Sequence, residues 1–263
     1  ALLPDHQPPV SSTEEPSRSQ TYIDHSSERV PASPPRKLDP SELPGIVADF
    51  AAGARRAIAA GFDGVEIHGA NTYLLDQFTR DGMNTMAPPW GGSLENRLRF
   101  PLLVAQAVAD AIGPGRVGYR ISPLSDHHDA VDSDPGTTFS ALATALGAMG
   151  LAYLHAVETW DRSKIDPRVE TVIPRIAGAF KDAGGGAYIA NGDYSIEQAD
   201  RAIADGWADA VAFGKLFISN PDLTERVRQG GPYNEWNANT FYTGTAEGYT
   251  DYPALEEATQ HAE

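Results

Sequence analysis

Three hydrogen-bonding side chains, His68, Asn71 and Tyr73, crowd into six residues at the end of an apolar run, within "DGVEIHGANTYLLDQFTRDG" over 63–82. A histidine and an asparagine three apart can share one side of a turn and aim two N–H donors at one oxygen. Such a pair polarises a carbonyl or nitro group as an oxyanion hole does. A neighbouring phenol can deliver a proton. The structural alternative has His68 and Asn71 bonding loop carbonyls while Tyr73 packs on a helix. Arg120, inside "VGYRISP", sits in a strand of otherwise apolar texture. A guanidinium keeps its charge, so a buried one must be paired or must face an anion. Glu66 is the candidate structural partner.

Two later stretches, "IANGDYS" and "AFGKLFISNPDL", place Gly192 beside Asp193 and Gly214 beside Lys215. Each puts backbone N–H groups where a ligand can approach, ahead of a helix whose start favours anions, and Lys215 adds a full charge. Phosphate is the ligand these features suit; plain turn glycines are the alternative. In "GGSLENRLRF", Ser93 reads as a helix N-cap, with Glu95, Arg97 and Arg99 solvated or salt-bridged. The adjacent His127 and His128 lie in a Ser/Asp-rich loop, so no metal is assigned. Trp160, Trp207 and Trp236 read as packing residues.

The elements that must position these groups follow from periodicity. Ile46, Val47, Phe50, Ala54 and Ile58 fall at helical spacing, and Gly61 closes that helix. "FDGVEIHG" is then a short buried strand. The same phrasing recurs in "GAMGLAYLHAVE" and "IADGWADAVAFG", more loosely in "DAGGGAYIANG", and "GPGRVGYRISP" supplies a further strand after a helix around Leu102–Ile112. The sequence thus predicts five strand-plus-helix units, with strands near 62–68, 116–122, 151–157, 186–190 and 208–213.

Unbroken apolar strands alternating with amphipathic helices imply a parallel sheet covered by helices. No G-x-G-x-x-G follows the first strand, which weighs against a dinucleotide-binding sheet. Polar residues instead fall just past several strands: His68, Arg120 with Ser122, Asn191 to Asp193, and Lys215. A (β/α)8 barrel gathers chemistry at that rim and commonly binds phosphate after its last two strands. The expected fold class is therefore α/β, a (β/α)8 TIM barrel, although five units do not close an eight-stranded ring.

The chain has 263 residues, enough for one large domain, and 41% of them are hydrophobic. Its 36 Asp and Glu outnumber 20 Lys and Arg, for a formal charge of −16. That balance repels phosphate backbones and anionic lipid, so neither nucleic acid nor membrane is an expected partner. With no cysteine, there is neither a disulfide nor a thiol nucleophile. A cytoplasmic location is the default. Eight of the 20 prolines fall in the first 40 residues, so 1–40 reads as an irregular Pro/Ser-rich loop in which no regular element begins.

Taken as an ordered set, "GFDGVEIHGANTYLLDQF", "GGSLENRLRF", "RVGYRISP", "ANGDY", "AFGKLFISNPDL" and "FYTGTAEGYTDYP" resemble the old yellow enzyme family of flavin-dependent ene-reductases. The likeness runs from about residue 2 to about residue 254. It implies one FMN-binding barrel domain over 1–263, with NADPH or NADH as reductant and a small-molecule alkene as substrate. By resemblance, His68 and Asn71 hold the activating oxygen and Tyr73 protonates the alpha carbon. Arg120 faces the flavin, Gly192, Asp193, Gly214 and Lys215 hold its phosphate, and Tyr242 lies near the substrate.

Three departures from the family stand out. Lys215 replaces a more usual arginine and loses its bidentate fork. "NTMAPPWGG" carries Pro88, Pro89 and Trp90 where acidic and tyrosine residues are commoner. "PDHQPPV"-like sequence follows the third barrel strand in the family, so the first three strands are expected to be absent. Open strand edges would then lead to self-association or to dependence on that N-terminal segment. The competing readings are an inactive fragment or pseudoenzyme without flavin, and another phosphate-binding barrel enzyme such as an isomerase. The isomerase needs a rim carboxylate, for which Glu66 and Asp126 are the candidates.

Overall fold

A computed structural model describes residues 7–18, 20–22, 29–242 and 244–255. Its centre is a five-stranded parallel sheet: β5 (Val65–His68), β6 (Val117–Ile121), β7 (Tyr153–Val157), β8 (Ala187–Asn191) and β9 (Ala210–Ala212). Each strand pairs only with its neighbours in sequence, in the order β5-β6-β7-β8-β9. A doubly wound sheet reverses direction at a switch point. This sheet never does, so it forms an arc of a (β/α)8 barrel, with strands where the sequence predicts them.

Helices α1 (Leu43–Ala59), α2 (Leu74–Thr79), α3 (Leu94–Ile112), α4 (Pro135–Ala148), α5 (Val169–Asp182) and α6 (Ile196–Ala204) run between strands. Two short helices, α7 (Lys215–Ser219) and α8 (Leu223–Gln229), follow β9. Local signals set their ends. Gly61, at φ 96°, turns the chain after α1 as predicted, and the Ser93 hydroxyl caps α3 by accepting from the Asn96 amide. Asp134 and Ser195 do the same for α4 and α6.

The register divides the sheet into two unequal faces. Val117, Tyr119, Ile121, Leu154, Ala156, Tyr188 and Ala190 point at the helices and are fully buried among Phe100, Phe139, Ile176 and Phe180. The opposite face carries Glu66 and His68, Arg120, Tyr153, His155, Ile189 and Asn191, in rows fixed by His68↔Arg120, Arg120↔His155 and His155↔Ile189. Most of that face is only half-buried. Apolar burial at roughly 25 cal/mol per Å2 therefore comes almost wholly from the helix side. The barrel-facing side is left for polar groups. A groove of about 470 Å3 runs along the open edge of β5, between Phe50 and Ala54 of α1 and Glu66 and His68.

The expectation that no regular element begins before Ser41 is corrected for the described residues. β1 (Val10–Ser11) pairs in parallel with β4 (Arg36–Lys37), and β2 (Gln20–Tyr22) pairs antiparallel with β3 (Arg29–Pro31). The prolines keep these ladders to two or three residues rather than preventing them. Of the 4–10 stretch that carries part of the family likeness, residues 4–6 lie outside the described residues. No helix among the described residues is long and apolar enough to cross a membrane.

Candidate active site

The first turn at the rim leaves β5 at His68. A side chain at Gly69 would run into the buried Tyr119 ring, so only glycine passes there. Asn71 and Thr72 then both take left-handed φ values, 55° and 61°. For residues with a Cβ that costs on the order of 1 kcal/mol or more each. Both strained amides are captured by buried acceptors. The Asn71 N–H donates to Ser122 Oγ at 2.8 Å, and the Thr72 N–H to Asp76 Oδ2 at 2.9 Å. Asp76 Oδ1 also pairs with Arg80 Nε at 2.9 Å, and Arg80 donates again to the Ser122 carbonyl at 2.5 Å. Burial pushes the Asp76 carboxyl up, against the pull of the Arg80 charge and the Thr72 amide.

This turn brings the predicted trio together. The Tyr73 ring lies 4.8 Å from the His68 ring and is 62% exposed, open to an incoming molecule. Burial, and then the charge of Arg120, hold the His68 imidazole below its ordinary value. It is a neutral donor at neutral pH. Asn71 Oδ1, the acceptor of the side-chain amide, is buried without a hydrogen-bond partner.

Arg120 stands beside His68 on the barrel-facing side of the sheet, and its Nε is buried without a partner. The suggested ion pair with Glu66 is corrected. Glu66 Oε2 is engaged by His155 Nδ1 at 2.8 Å, and Asn191 Nδ2 lies 3.0 Å from His155 Nε2. Although burial raises the Glu66 carboxyl, the bond to His155 and the charges of His155 and Arg120 together bring it below its ordinary range. Glu66 is thus occupied two residues below the rim, and Asp126 is exposed in its loop.

The second turn follows β8. Gly192 has φ 147° and Asp193 φ 57°, and a side chain at Gly192 would press on the Thr159 backbone. Beneath it, the fully buried Glu158 accepts from Tyr188 Oη at 2.8 Å, Tyr194 Oη at 2.7 Å and Arg162 at 2.8 Å. Arg162 stacks 3.5 Å over the Tyr194 ring and donates to the Gly192 carbonyl at 2.9 Å. Lys215 reaches this turn from the next unit, with Nζ 2.7 Å from Asp193 Oδ1 and 5.2 Å from the Trp236 ring centre. Gly214, at the start of α7, has open space where a side chain would stand. The structure therefore gathers Gly192, Asp193, Gly214 and Lys215 as the sequence suggests. Tyr242 is highly exposed and joins this side through Phe241 and Trp236.

Some roles were not legible. Arg97, expected to be solvated or salt-bridged, is buried and donates to the Thr79 and Gly92 carbonyls, tying α3 to the loop before it. Arg99 does pair with Glu95, at 3.3 Å. Trp160 is partly exposed, edge-on to His127, with its indole N–H on Ser125 Oγ. The supporting residues Asp76, Arg80, Glu158 and Arg162 escaped sequence reasoning. Their one signal is an acid four residues ahead of an arginine, twice, each time at the rim end of a unit.

Comparison with known proteins matches this geometry. Residues 4–234 fit the model of the NADH:flavin oxidoreductase / NADH oxidase family. The chain is 42% identical over 259 residues to putative 12-oxophytodienoate reductase 10 of Oryza sativa subsp. japonica, covering 97% of this chain and 80% of that protein. With 12-oxophytodienoate reductase 2 of Arabidopsis thaliana it shares 41% identity, over 96% and 67% of the two chains. Among solved structures, morphinone reductase in complex with tetrahydroNAD superposes with a TM-score of 0.86 at 40% identity, covering 97% of this chain and 69% of that one. An old yellow enzyme homologue from Zymomonas mobilis gives 0.86 at 34% identity, over 95% and 69%. This chain belongs to the NADH:flavin oxidoreductase / NADH oxidase family, that of the old yellow enzymes.

Proposed function

We propose that this chain binds FMN along the rim of its sheet and reduces C=C bonds conjugated to a carbonyl or nitro group, with NADPH or NADH as the source of hydride. The observation that carries the reading is Arg120, whose partly buried charge has an unpartnered Nε beside His68. Such a group needs an electron-rich neighbour, and the acid available to it is already taken. The rest of the site fits the cofactor. Gly214 is exposed with open space around it where an anion can approach the backbone, Gly192 shapes the facing turn, and Lys215 brings the cation for a phosphate. Asp193 serves through its amide, with its carboxylate holding Lys215 in place until phosphate arrives.

FMN held at this rim would supply the redox chemistry of hydride transfer between nicotinamide and alkene. The protein's own residues do the remainder. His68, neutral by virtue of its surroundings, and Asn71 donate to the activating oxygen and stabilise the negative charge that develops there. Tyr73 gives its phenolic proton to the alpha carbon. Arg120 supplies positive charge to the isoalloxazine, and Tyr242 contacts the substrate from the C-terminal segment. The relatives are named for oxo compounds, which supports an α,β-unsaturated ketone as substrate class. The tetrahydroNAD bound to morphinone reductase supports a nicotinamide reductant. The site residues lie in one FMN-binding domain of a cytoplasmic enzyme, which can also draw on the N-terminal barrel strands that the family adds. The free edges of β5 and β9 favour association of two copies, which sedimentation at several concentrations measures.

The test separates the two half-reactions. Titration with FMN should quench flavin fluorescence to a stoichiometric end point, and 2-cyclohexenone should reoxidise the reduced protein anaerobically. Tyr73→Phe should slow that reoxidation by about a hundredfold or more, the usual worth of a positioned general acid, with flavin reduction by NADPH unchanged. Equal slowing of both halves would make Tyr73 a structural residue and overturn its role.

A further inference from the structure

The three side chains assigned to the alkene stand on a backbone that is unfavourable by itself, held by one acceptor four residues on and by another on the next strand. Asn71 and Thr72 are consecutive left-handed residues without glycine. Their amides donate to Ser122 Oγ and Asp76 Oδ2. Arg80 links those acceptors, pairing with Asp76 and donating to the Ser122 carbonyl. Ser122 and Asp76 are fully buried and Arg80 is 1% exposed. The circuit is closed: Ser122, just past the end of β6, is tied to the turn after β5 by two polar routes, one direct from the Asn71 amide to its Oγ and one from the Thr72 amide through Asp76 and Arg80 to its carbonyl. Arg120 lies two residues before Ser122 on the same strand, so the donors and the guanidinium share one rigid support.

We propose that Ser122 is a positioning residue for alkene reduction, fixing the Asn71 donor and the Tyr73 phenol against β6 directly through its Oγ, with the Asp76–Arg80 pair bracing the same turn from its carbonyl. The hydroxyl is fully buried and acts through the Asn71 amide. Its Oγ takes the Asn71 amide while its carbonyl takes Arg80, so a shift of β6 moves the turn with it. The distance between the oxygen-binding donors and Arg120 is thereby set by covalent spacing along one strand rather than by a loop. The proposal rests on the alkene-reductase reading for its functional consequence, but not for its structural content.

Ser122→Ala tests it, since it removes the acceptor for the Asn71 amide and leaves the bond from Arg80 to the carbonyl. A misplaced donor and acid should cost about tenfold or more in reoxidation by 2-cyclohexenone and a similar factor in para-chlorophenol affinity by calorimetry. Flavin affinity and reduction by NADPH should stay within about twofold, because the phosphate turn is held by other residues. Ser122→Thr, which keeps the hydroxyl, should restore both losses. Amide exchange followed by mass spectrometry provides a readout that needs no flavin. Peptides spanning 69–75 should exchange faster in Ser122→Ala, and those spanning 190–196 should not. Unchanged exchange at 69–75, or a loss in phenol affinity, flavin affinity and melting temperature together that threonine does not restore, would overturn the proposal. If the unmodified protein fails to reduce 2-cyclohexenone, the alkene-reductase reading fails, and the exchange result still decides whether Ser122 holds the turn.

Discussion

The turn after β5 and the turn after β8 solve one problem with the same parts and reach opposite electrostatic results. Each contains left-handed residues, Asn71 and Thr72 in one, Gly192 and Asp193 in the other. Each rests on a buried acid paired with an arginine four residues later, Asp76–Arg80 and Glu158–Arg162. In the first, the acid accepts a strained backbone amide directly, and the turn presents a neutral imidazole, an amide and a phenol. In the second, the acid gathers two tyrosine hydroxyls, its arginine takes the Gly192 carbonyl, and the turn presents a lysine neutralised by its own Asp193. A neutral donor site must be rigid, because its gain comes from geometry. A phosphate site must have a cation that can change partners. The difference in burial follows that division: Arg80 is closed off, whereas the Arg162 side chain keeps 16% exposure.

The largest expected effect is on stability. Asp76→Ala strands Arg80 in the interior and should cost about 3–5 kcal/mol in urea unfolding, the usual penalty for breaking a buried pair. Glu158→Ala should cost less, because Arg162 can reach water and keeps its stack on Tyr194. A larger loss at Glu158 would invert the comparison and make the phosphate turn the rigid one.

Next in size is the cation. Lys215→Ala should weaken FMN binding by about 1.5–3 kcal/mol, the range for a hydrogen bond to a charged group, with Lys215→Arg close to the parent. Fluorescence titration reads this directly, and para-chlorophenol affinity at the first turn should not follow it. Unaltered FMN affinity in Lys215→Ala would remove the phosphate from the second turn. Asp193→Asn sharpens the same point with a smaller effect. Freeing Lys215 from a partly exposed ion pair worth about 0–1 kcal/mol should tighten FMN by up to a few-fold at low salt, an effect that salt removes.

The smallest effect concerns pH. The folded His68 titrates below its ordinary value of 6.5, chiefly through burial and then Arg120, so folding favours its neutral form. Its contribution to stability is complete above pH 6.5 and is lost as pH falls through the lower folded value. Urea midpoints should therefore decline on the acid side of 6.5, before the carboxylates titrate, and His68→Gln should flatten that slope. The second turn has no histidine and should contribute nothing in this window. An identical slope in His68→Gln would show that the imidazole is not held neutral by its site.

The sequence by itself determined the repeating strand-and-helix units, the rim positions of the chemistry and the family, because period, turn glycines and ordered motifs are local properties of the chain. Five strands stand where apolar runs place them, and His68, Asn71 and Tyr73 fall together because six residues of one turn cannot lie far apart. Only the tertiary structure decided which charges meet. Glu66 turned to His155 rather than Arg120 because His155 lies across the same open face, two strands away and 89 residues on. Ser122 acquired the Asn71 amide and Arg80 through a crossing from β5 to β6 that no spacing in the chain records. Arg97, polar by type and expected solvated or salt-bridged, was drawn inside by the carbonyls of Thr79 at the end of α2 and Gly92 in the loop before α3. Local pattern fixes what an element is. The partners of a buried polar group depend on which elements become neighbours, and that is settled only when the sheet assembles.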